Sequence, residues 1–233
     1  MPTWKRSIDI AVSLAVMPIL GICVLLMTVM QKFCSPGPIF FTQERVGRDG
    51  RRFKIYKFRT MFTGVDVAAH RAYYSTLITS NVPMAKLDAQ GDKRLIPGGW
   101  LLRASGLDEL PQIINVLQGD MSIVGPRPCI PYEYEEYTPW QKQRFASTPG
   151  LTGLWQVSGK NRTTFDEMIR LDHEYHDKLS FWLDAKIILM TGPALLLQIR
   201  EVRSAREDKT RIRRTHEVRQ PEPPKGIHVT RTT

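Results

Sequence analysis

An uninterrupted apolar run near the N-terminus constrains this chain more than any other feature. Residues Ile10–Met30 contain no charged side chain, and these 21 residues are enough for a helix to cross the hydrocarbon core of a bilayer. A cleaved secretory signal fits poorly, because the run is longer than the apolar part of such a signal and no small-residue cleavage site follows it. The run therefore predicts a membrane helix.

Two topologies are open for this helix. Pro18 lies near its middle, where a proline removes a backbone donor and kinks a helix. Lys5 and Arg6 precede the run and Lys32 follows it, and positive flanks prefer the cytoplasm. If both flanks stay inside, the helix enters one leaflet, turns at Pro18 and returns. A plain single span is the alternative, since proline is tolerated in spanning helices.

The basic charge of the chain is concentrated in two segments. The formal net charge is +10; residues 43–60 hold seven Arg or Lys against two acidic residues, and residues 200–233 hold ten against five. This balance fits a membrane lipid surface or a phosphate-rich substrate, and no nucleic-acid-binding motif accompanies it. Three cysteines without a CxxC pair indicate a reduced, cytoplasm-facing environment rather than a disulfide scaffold.

Residues 39–60 are predicted to form a β-hairpin. The turn pair Asp49-Gly50 precedes an alternating stretch, Arg52–Phe58, and this order favours a tight reversal between two strands. We expect one apolar face and one basic face. The apolar face comprises Phe53, Ile55 and Phe58, and the basic face comprises Arg51, Lys57 and Arg59.

The rest of the chain predicts helices. Pieces at 100–103 and 110–117 are separated by a break near Gly106, and residues 62–92 are expected to form a helical excursion. Ser180–Ile199 is apolar but is interrupted by Gly192-Pro193, which suits a helix that lies in the membrane interface rather than crossing it. We divide the chain into a membrane helix (1–36), a cytoplasmic interfacial domain (37–200) and a basic, flexible tail (201–233).

Two adjacent carboxylates, Asp108 and Glu109, are the strongest chemical signal. Pro111 is tolerated only in the first turn of a helix, so one interpretation makes Asp108 a helix cap and Glu109 a partner of the helix dipole. The other is phosphate transfer, which carboxylates at a positive helix end can support when a metal or arginines offset their charge. Arg127 favours the second, since it lies in a rigid proline-flanked turn and guanidinium groups bind phosphate oxygens in pairs.

Six short motifs occur in a fixed order between about Trp4 and Arg200. They are Lys5-Arg6-x-x-Asp9, Gln43-x-Arg45-x-Gly47, Lys57-Phe58-Arg59-Thr60-Met61, Leu107–Gln112, Gly119–Pro128 and Pro149–Asn161. Together they make the chain similar to the bacterial sugar transferases, or monotopic phosphoglycosyl transferases. The resemblance implies an α+β, mainly helical fold with a re-entrant N-terminal helix kinked at Pro18, a small basic β-hairpin and interfacial helices around the active site.

The resemblance also implies the reaction. A phosphosugar, expected to be a hexose 1-phosphate, passes from a UDP-sugar to polyprenyl (undecaprenyl) phosphate, and UMP is released. The expected location is the cytoplasmic face of a bacterial inner membrane, where the reaction initiates an exopolysaccharide or another surface glycan. The sugar, the glycan pathway and self-association stay open.

Residue roles follow from the same resemblance. Asp108 is the implied nucleophile that forms a covalent phosphosugar intermediate, and Glu109 and Mg²⁺ complete the site, with both carboxylates as metal ligands. The implied substrate- and phosphate-binding residues are Lys57, Arg59, Arg103, Arg127 and Gln156. Magnesium suits this chemistry, because an aspartate is a weak nucleophile facing a diphosphate that repels it.

Three positions depart from the family pattern. Gly106 stands where serine is usual, Lys160 where arginine is common and Ile96 where threonine is common; none lies in the carboxylate pair.

A basic membrane-anchored interaction module, whose carboxylates merely cap a helix, is the rival function. His173 and His176 share a helix face, but no further ligand pair supports zinc, so we interpret them as a polar helix face.

Overall fold

The protein is described by a computed structural model that covers residues 1–62, 76–78, 80, 83, 94–159 and 163–218. Most of the excursion expected at 62–92, Lys160 and the end of the basic tail lie outside these residues.

The described part is mainly helical with small sheets, which confirms the coarse fold class. The elements are α1 (Thr3–Cys34), β1 (Phe40–Val46), β2 (Arg52–Phe58), α2 (Gly99–Ser105), α3 (Ile113–Gln118), β3 (Ser122–Val124), α4 (Pro131–Glu136), α5 (Pro139–Lys142), β4 (Gly150–Thr152), α6 (Leu154–Val157), α7 (Phe165–Asp177) and α8 (Phe181–Val218), with 3₁₀ turns at Arg48–Gly50, Leu107–Gln112 and Gln143–Ala146.

Helix α1 contains the whole apolar run and passes through Pro18 as one helix of 32 residues. At 1.5 Å per residue its length is about 48 Å. Within the described ranges, two helical stretches, Thr3–Phe33 and Phe181–Ser204, are long and apolar enough to cross a membrane. Many of their large apolar side chains stay exposed, including Leu14, Ile19, Ile22, Leu25, Leu26 and Phe33 on α1 and Trp182, Leu189, Leu196 and Leu197 on α8. Exposed apolar area of this extent marks a membrane or protein contact.

The N-terminal turns of α1 are bound to the rest of the fold by buried polar contacts. The ammonium group of Lys5 donates to the carbonyl of Val124 at 2.8 Å, to Tyr175 Oη at 2.9 Å and to the carboxylate of Asp184 at 2.5 Å. One turn later, Asp9 Oδ1 accepts hydrogen bonds from strand β3, from Ser122 Oγ and from the amide of Ile123, both at 2.9 Å. We call Lys5, Asp9, Tyr175 and Asp184 the helix junction.

The C-terminal end of α1 is held by the same folded domain. Arg59 directly follows β2, and its guanidinium donates to the carbonyls of Pro38 at 2.8 Å and Ser35 at 2.5 Å and to Gln31 Oε1 at 3.4 Å. Between the two ends, Leu20 and Met27 of α1 are buried in a cluster with Phe58 of β2. Helix α1 is therefore attached to the domain at both ends and along one flank.

The predicted β-hairpin is confirmed. Strands β1 and β2 pair antiparallel with Phe40 opposite Phe58 and Val46 opposite Arg52. The turn between them places Asp49 and Gly50 at φ values of 55° and 76°, a left-handed conformation that Gly and Asp tolerate better than most residues.

The predicted division of the hairpin into faces is wrong at two positions. Side chains alternate along a strand, so Lys57 shares a face with Phe53 and Ile55, while Phe58 lies on the other face against α1. Arg59 is only 5% exposed and belongs to the attachment of α1. The spacing of the residues, rather than their polarity, decides which face each side chain joins.

Strands β3 and β4 form a short parallel pair, with Ser122 opposite Gly150 and Val124 opposite Thr152. The chains approach so closely after β3 that a Cβ on Gly125 would overlap the carbonyl oxygen of Thr148 and lie 2.9 Å from the amide nitrogen of Gly150. Glycine is required here by the close backbone approach. This contact fixes the start of the loop that carries Arg127.

Helix α8 differs from the expected broken segment. It continues through Gly192-Pro193 and across the proposed domain boundary at residue 200, and it ends at Val218. A proline inside a helix removes one hydrogen bond, and neighbouring packed turns can keep the helix continuous. The expected break near Gly106, by contrast, is confirmed: α2 ends there and the 3₁₀ turn begins at Leu107.

The central core lies between the hairpin, β3, α3, α7 and α8. Its buried side chains are Ile55, Ile113, Val116, Met121, Ile123, Val124, Tyr175 and Ile187. Burial of side chains of this size stabilises a fold by about 1.5–3 kcal/mol each. Because this core holds β2, β3 and α3 together, it fixes the relative positions of the three segments that supply the candidate site.

Candidate active site

The turn after α2 presents the two adjacent carboxylates. Gly106 adopts a φ of 73°, which ends α2 without a Cβ penalty. Asp108 and Glu109 then lie in the first turn of the 3₁₀ segment Leu107–Gln112. The capping interpretation of Asp108 is wrong, because Gly106 is the residue that precedes this segment and no side chain caps it. Asp108 is buried, and Glu109 is half-buried.

Glu109 brings together two cations from distant parts of the chain. Its Oε1 atom lies 2.7 Å from the ammonium nitrogen of Lys57 on β2 and 3.2 Å from each of the two terminal guanidinium nitrogens of Arg127. The Lys57, Glu109 and Arg127 side chains are 15%, 22% and 33% exposed. We call Lys57, Asp108, Glu109 and Arg127 the carboxylate site.

The electrostatics of the two cations differ. Burial lowers the pKa of Lys57 below its ordinary value, although attraction by Glu109 opposes this effect. The attraction of Glu109 raises the pKa of Arg127, and the carboxylate of Asp108 acts in the same direction. Asp108 is therefore close enough to both cations to contribute to their electrostatic environment. Cations held in this way can bind phosphate oxygens through charge-assisted hydrogen bonds.

The backbone that carries Arg127 is held from several directions. Five carbonyl oxygens of segment 124–129 accept hydrogen bonds from other parts of the fold: Val124 from Lys5 and Tyr175, Pro126 from the Gly150 amide, Arg127 from Arg144, Pro128 from Arg45 and Cys129 from the Val46 amide. The prolines on either side of Arg127 also restrict its backbone. The loop thus presents the Arg127 side chain from a rigid support, as precise binding of an anion requires.

Three predicted substrate-binding residues make contacts away from Glu109. The guanidinium of Arg59 is engaged at the C-terminal end of α1, as described above. Arg103 lies on α2, and its carbonyl accepts a hydrogen bond from Gln198 of α8 at 3.2 Å. Gln156 lies on α6 and donates to the carbonyl of Leu151 at 3.0 Å. The structure thus brings Lys57 and Arg127 together with the two carboxylates, whereas the guanidinium of Arg59 binds main-chain oxygens at the C-terminal end of α1.

Arg45, a residue without a role predicted from the sequence, adjoins the site. Its guanidinium donates to Gln43 Oε1 at 2.7 Å and to the carbonyl of Pro128 at 3.4 Å. Burial lowers the pKa of Arg45, and repulsion by Arg127 lowers it further, while Glu133 opposes the shift. The available signal was the Gln43-x-Arg45 spacing, because residues two apart share one face of a strand.

The two carboxylates fit a magnesium ion by donor type. Among the residues that the structure describes, no group of three His, Cys, Asp or Glu side chains could hold a metal. Mg²⁺, however, is usually bound by one or two carboxylates and completes its shell with waters and substrate phosphates. Asp108 and Glu109 supply hard oxygen donors of this kind, so they suit a magnesium ion that binds together with a phosphorylated substrate.

The two histidines on α7 are engaged in ordinary packing and hydrogen bonding. His173 packs edge to face on Trp140, with ring centroids 5.0 Å apart, and His176 Nδ1 lies 2.8 Å from Ser147 Oγ. These contacts agree with the interpretation of this face as a polar helix surface.

Comparison with known proteins gives one consistent family. The family model described as bacterial sugar transferase matches residues 2–198. The chain is 43% identical over 194 residues to the galactosyl transferase CpsE of Streptococcus agalactiae serotype III (strain NEM316), which covers 83% of this chain and 42% of that protein. It is 36% identical over 193 residues to the exopolysaccharide production protein ExoY of Sinorhizobium fredii (strain NBRC 101917 / NGR234), which covers 83% of this chain and 85% of that protein.

A third relative is named as a transferase of a sugar phosphate. The UDP-glucose:undecaprenyl-phosphate glucose-1-phosphate transferase of Caulobacter vibrioides (strain ATCC 19089 / CIP 103742 / CB 15) is 37% identical over 203 residues, which covers 82% of this chain and 69% of that protein. The chain therefore spans less than half of the length of CpsE and most of the length of ExoY.

Proposed function

Because this chain belongs to the bacterial sugar transferase family, we propose that it transfers a sugar phosphate from a UDP-sugar to undecaprenyl phosphate and releases UMP. The observation that carries this proposal is the carboxylate site, where Glu109 pairs with Lys57 and Arg127 and the adjacent carboxylate of Asp108 acts on both cations. The family assignment supports the substrate class, and the site offers a carboxylate for the role of nucleophile and two cations for the role of phosphate ligands. The product would begin an exopolysaccharide or another surface glycan.

The reaction has two displacements at one phosphorus atom. First, a carboxylate oxygen of Asp108 attacks the phosphorus that carries the sugar; an aspartyl P–O bond forms, the phosphoanhydride bond breaks and UMP leaves with its electron pair. Next, a phosphate oxygen of the polyprenyl acceptor attacks the same phosphorus, and the aspartyl bond breaks. Asp108 returns as a carboxylate. A covalent intermediate of this kind gives ping-pong kinetics.

The cations make the attack of one anion on another feasible. Glu109 holds Lys57 and Arg127 within about 3 Å of one oxygen atom, where they can exchange part of that contact for the oxygens of a diphosphate. They then stabilise negative charge that builds up on the transferred group. A magnesium ion bound by Asp108 and Glu109 would supply further charge neutralisation at the diphosphate.

Helix α1 is proposed to enter and leave the membrane on one side, with Pro18 at the turn. The contacts of Lys5 with Val124 and of Arg59 with Ser35 support this topology, because they join both ends of α1 to one folded domain. A spanning helix would separate its two ends by about 30 Å of hydrocarbon. The basic flanks favour the cytoplasmic face of the inner membrane, which would bring the site to the depth of the acceptor phosphate.

A single-turnover assay tests the proposed reaction. Purified full-length protein is mixed with Mg²⁺ and UDP-galactose or UDP-glucose carrying a labelled sugar, first without and then with undecaprenyl phosphate. We expect UMP release and label on the protein in the first step and labelled lipid in the second. Asp108→Asn should abolish both, while the matched control Asp177→Asn, which alters an exposed carboxylate on α7, should leave them unchanged.

Two results would reject parts of the proposal. Wild-type turnover in Asp108→Asn would exclude Asp108 as nucleophile. The absence of lipid-linked product from the wild-type protein with a full panel of UDP-sugars would favour the rival interpretation, a basic interaction module on the membrane. The panel also identifies the donor sugar.

A labelling experiment tests the topology. Thr3→Cys and Thr42→Cys, both at exposed positions, are made in a protein whose native cysteines are replaced by alanine. A membrane-impermeant maleimide should reach both positions from the same face. Reaction from opposite faces would reject the re-entrant topology in favour of a single span.

A further inference from the structure

Arg144 is a buried arginine that lies outside the carboxylate site. It belongs to the 3₁₀ turn Gln143–Ala146, and its side chain is 2% exposed. Its guanidinium lies 2.6 Å from a carboxylate oxygen of Asp172 on α7, a side chain that is also 2% exposed. Burial raises the pKa of Asp172 to about 6, although Arg144 acts to lower it. Keeping two charges here costs free energy, so a compensating role is expected.

The same guanidinium contacts the loop that carries Arg127. Arg144 Nη2 donates to the main-chain oxygen of Arg127 at 3.1 Å, and Nη1 lies 3.5 Å from Tyr137 Oη. Arg127 is therefore held at two ends: its side chain contacts Glu109, and its carbonyl contacts Arg144.

The carbonyl contact controls the direction of the Arg127 side chain. The peptide bond after Arg127 leads into Pro128 and has no N–H group, so its oxygen is the polar atom through which the fold can orient it. Rotation of this peptide plane would also turn the backbone at Arg127 and displace the guanidinium. A shift of about 1 Å at a group that binds the reacting substrate can cost up to about 100-fold in rate.

We propose that Arg144, paired with Asp172, is a positioning residue that holds the Arg127 guanidinium over Glu109. This role deepens the proposed function, since it concerns the cation that would bind the donor diphosphate. Arg144 acts through the backbone of Arg127 and does not itself contact the reacting atoms. Asp172 fixes Arg144 in the orientation that reaches the carbonyl.

A purely structural role is the competing explanation, and a paired substitution separates the two. Arg144→Met alone leaves Asp172 as an unpaired buried charge and can unfold the protein. Replacing both partners by apolar side chains is often neutral or stabilising, so the double variant Arg144→Met/Asp172→Leu should fold. It nevertheless lacks the donor to the Arg127 carbonyl. The matched control is Lys142→Met, which removes a cation two residues away without touching this contact.

The first measurement does not depend on turnover. Arg127 is one-third exposed, so phenylglyoxal can modify it, and peptide mass spectrometry gives the rate at that residue. We expect modification of Arg127 to accelerate severalfold in the double variant and to stay unchanged in Lys142→Met. An unchanged rate at Arg127, or a double variant that fails to fold, would overturn the proposal.

The second measurement is a double-mutant cycle on the transfer reaction. The double variant should lower kcat by about 10- to 100-fold, and the same substitutions in an Arg127→Met background should cause no further loss. Losses that multiply in that background would show an effect independent of Arg127 and reject the positioning role. If the wild-type protein transfers no sugar but the labelling response is present, the proposed function fails and the positioning of Arg127 stands.

Discussion

The helix junction and the carboxylate site are both clusters of opposite charges, but they differ in what surrounds the charges. In the junction, the side chains of Lys5 and Asp184 are 5% and 4% exposed, and Lys5 contacts a carbonyl, a phenol and a carboxylate of the protein. In the carboxylate site, Glu109 and Arg127 are 22% and 33% exposed. There, two cations converge on one carboxylate and keep part of their surface open to solvent.

This difference separates charges that build the fold from charges that can bind a ligand. Buried charges need protein partners for their polar atoms, because an unpaired one is costly. Partly exposed cations can exchange a protein contact for a phosphate oxygen at little cost in stability. We therefore expect substitutions in the junction to act on stability and substitutions of the partly exposed Glu109 and Arg127 to act on turnover.

The largest expected effect is that of Lys5→Met on stability. The variant leaves the buried carboxylate of Asp184 without its cation, and breaking a buried pair from one side costs about 3–5 kcal/mol. Thermal and urea denaturation of the detergent-solubilised protein measure this loss. The double variant Lys5→Met/Asp184→Leu should recover much of it, since both charges are removed together. If Lys5→Met is as stable as the wild type, the buried charges of the junction do not stabilise the fold, and burial does not distinguish the roles of the two clusters.

Arg127→Met should have the next largest effect, and the effect should be on turnover. Loss of one charge-stabilising donor from an active site typically lowers kcat by about 10²–10³-fold. The melting temperature should stay close to that of the wild type, because the side chain is one-third exposed. Steady-state kinetics and calorimetry on the same preparation test both parts. A large loss of stability with an unchanged kcat would assign Arg127 to the scaffold instead.

Lys57→Arg should change the pH dependence more than the maximal rate. Burial places the pKa of Lys57 below its ordinary 10.5, and the protonated form is the one that binds phosphate. The value of kcat/KM should therefore fall on the alkaline side at a pH below 10.5. An arginine keeps its charge throughout this range, so the alkaline limb should move to higher pH in the variant. If kcat/KM falls at the same alkaline pH in both proteins, the group that titrates there is not Lys57.

The smallest expected effect is that of Arg52→Gln, which tests a charge outside both clusters. Arg52 lies 3.4 Å from Glu44 and 3.7 Å from Glu135, and all three side chains are about half exposed or more. Exposed pairs of this kind contribute about 0–1 kcal/mol. Stability and turnover should both stay close to the wild-type values; a marked loss of either would mean that exposure does not distinguish the functions of charged groups here.

Local patterns in the sequence were sufficient for part of the fold and of the site. The Asp49-Gly50 turn predicted the hairpin, and the Leu107–Gln112 segment predicted where the carboxylates lie after a break at Gly106. Arg127 in its proline-flanked turn was also identified, and the structure brings it to Glu109. These features depend on residues that are close together in the chain, so they can be predicted from the local sequence.

The remaining features depend on partners that are distant in the chain. Arg59 has the residue type expected of a phosphate ligand, yet its guanidinium is engaged by Ser35 and Pro38. In the sequence Lys5 indicates topology, whereas its contacts with Val124 and Asp184 cannot be predicted from the residues next to it. Lys57 and Phe58 differ from the prediction for a simpler reason, since the two-residue period of a strand decides the face of each side chain whatever its polarity.

The attachment of α1 sets an order for the synthesis of this protein. Lys5 leaves the ribosome well before its partners Val124, Tyr175 and Asp184, which follow it by 119, 170 and 179 residues. Contacts between residues so far apart form slowly, and a nascent chain folds from its N-terminus. We therefore expect α1 to enter the bilayer while Lys5 is still hydrated, so that lipid is the first partner of α1, and α8 later completes the binding site of Lys5 by supplying Asp184.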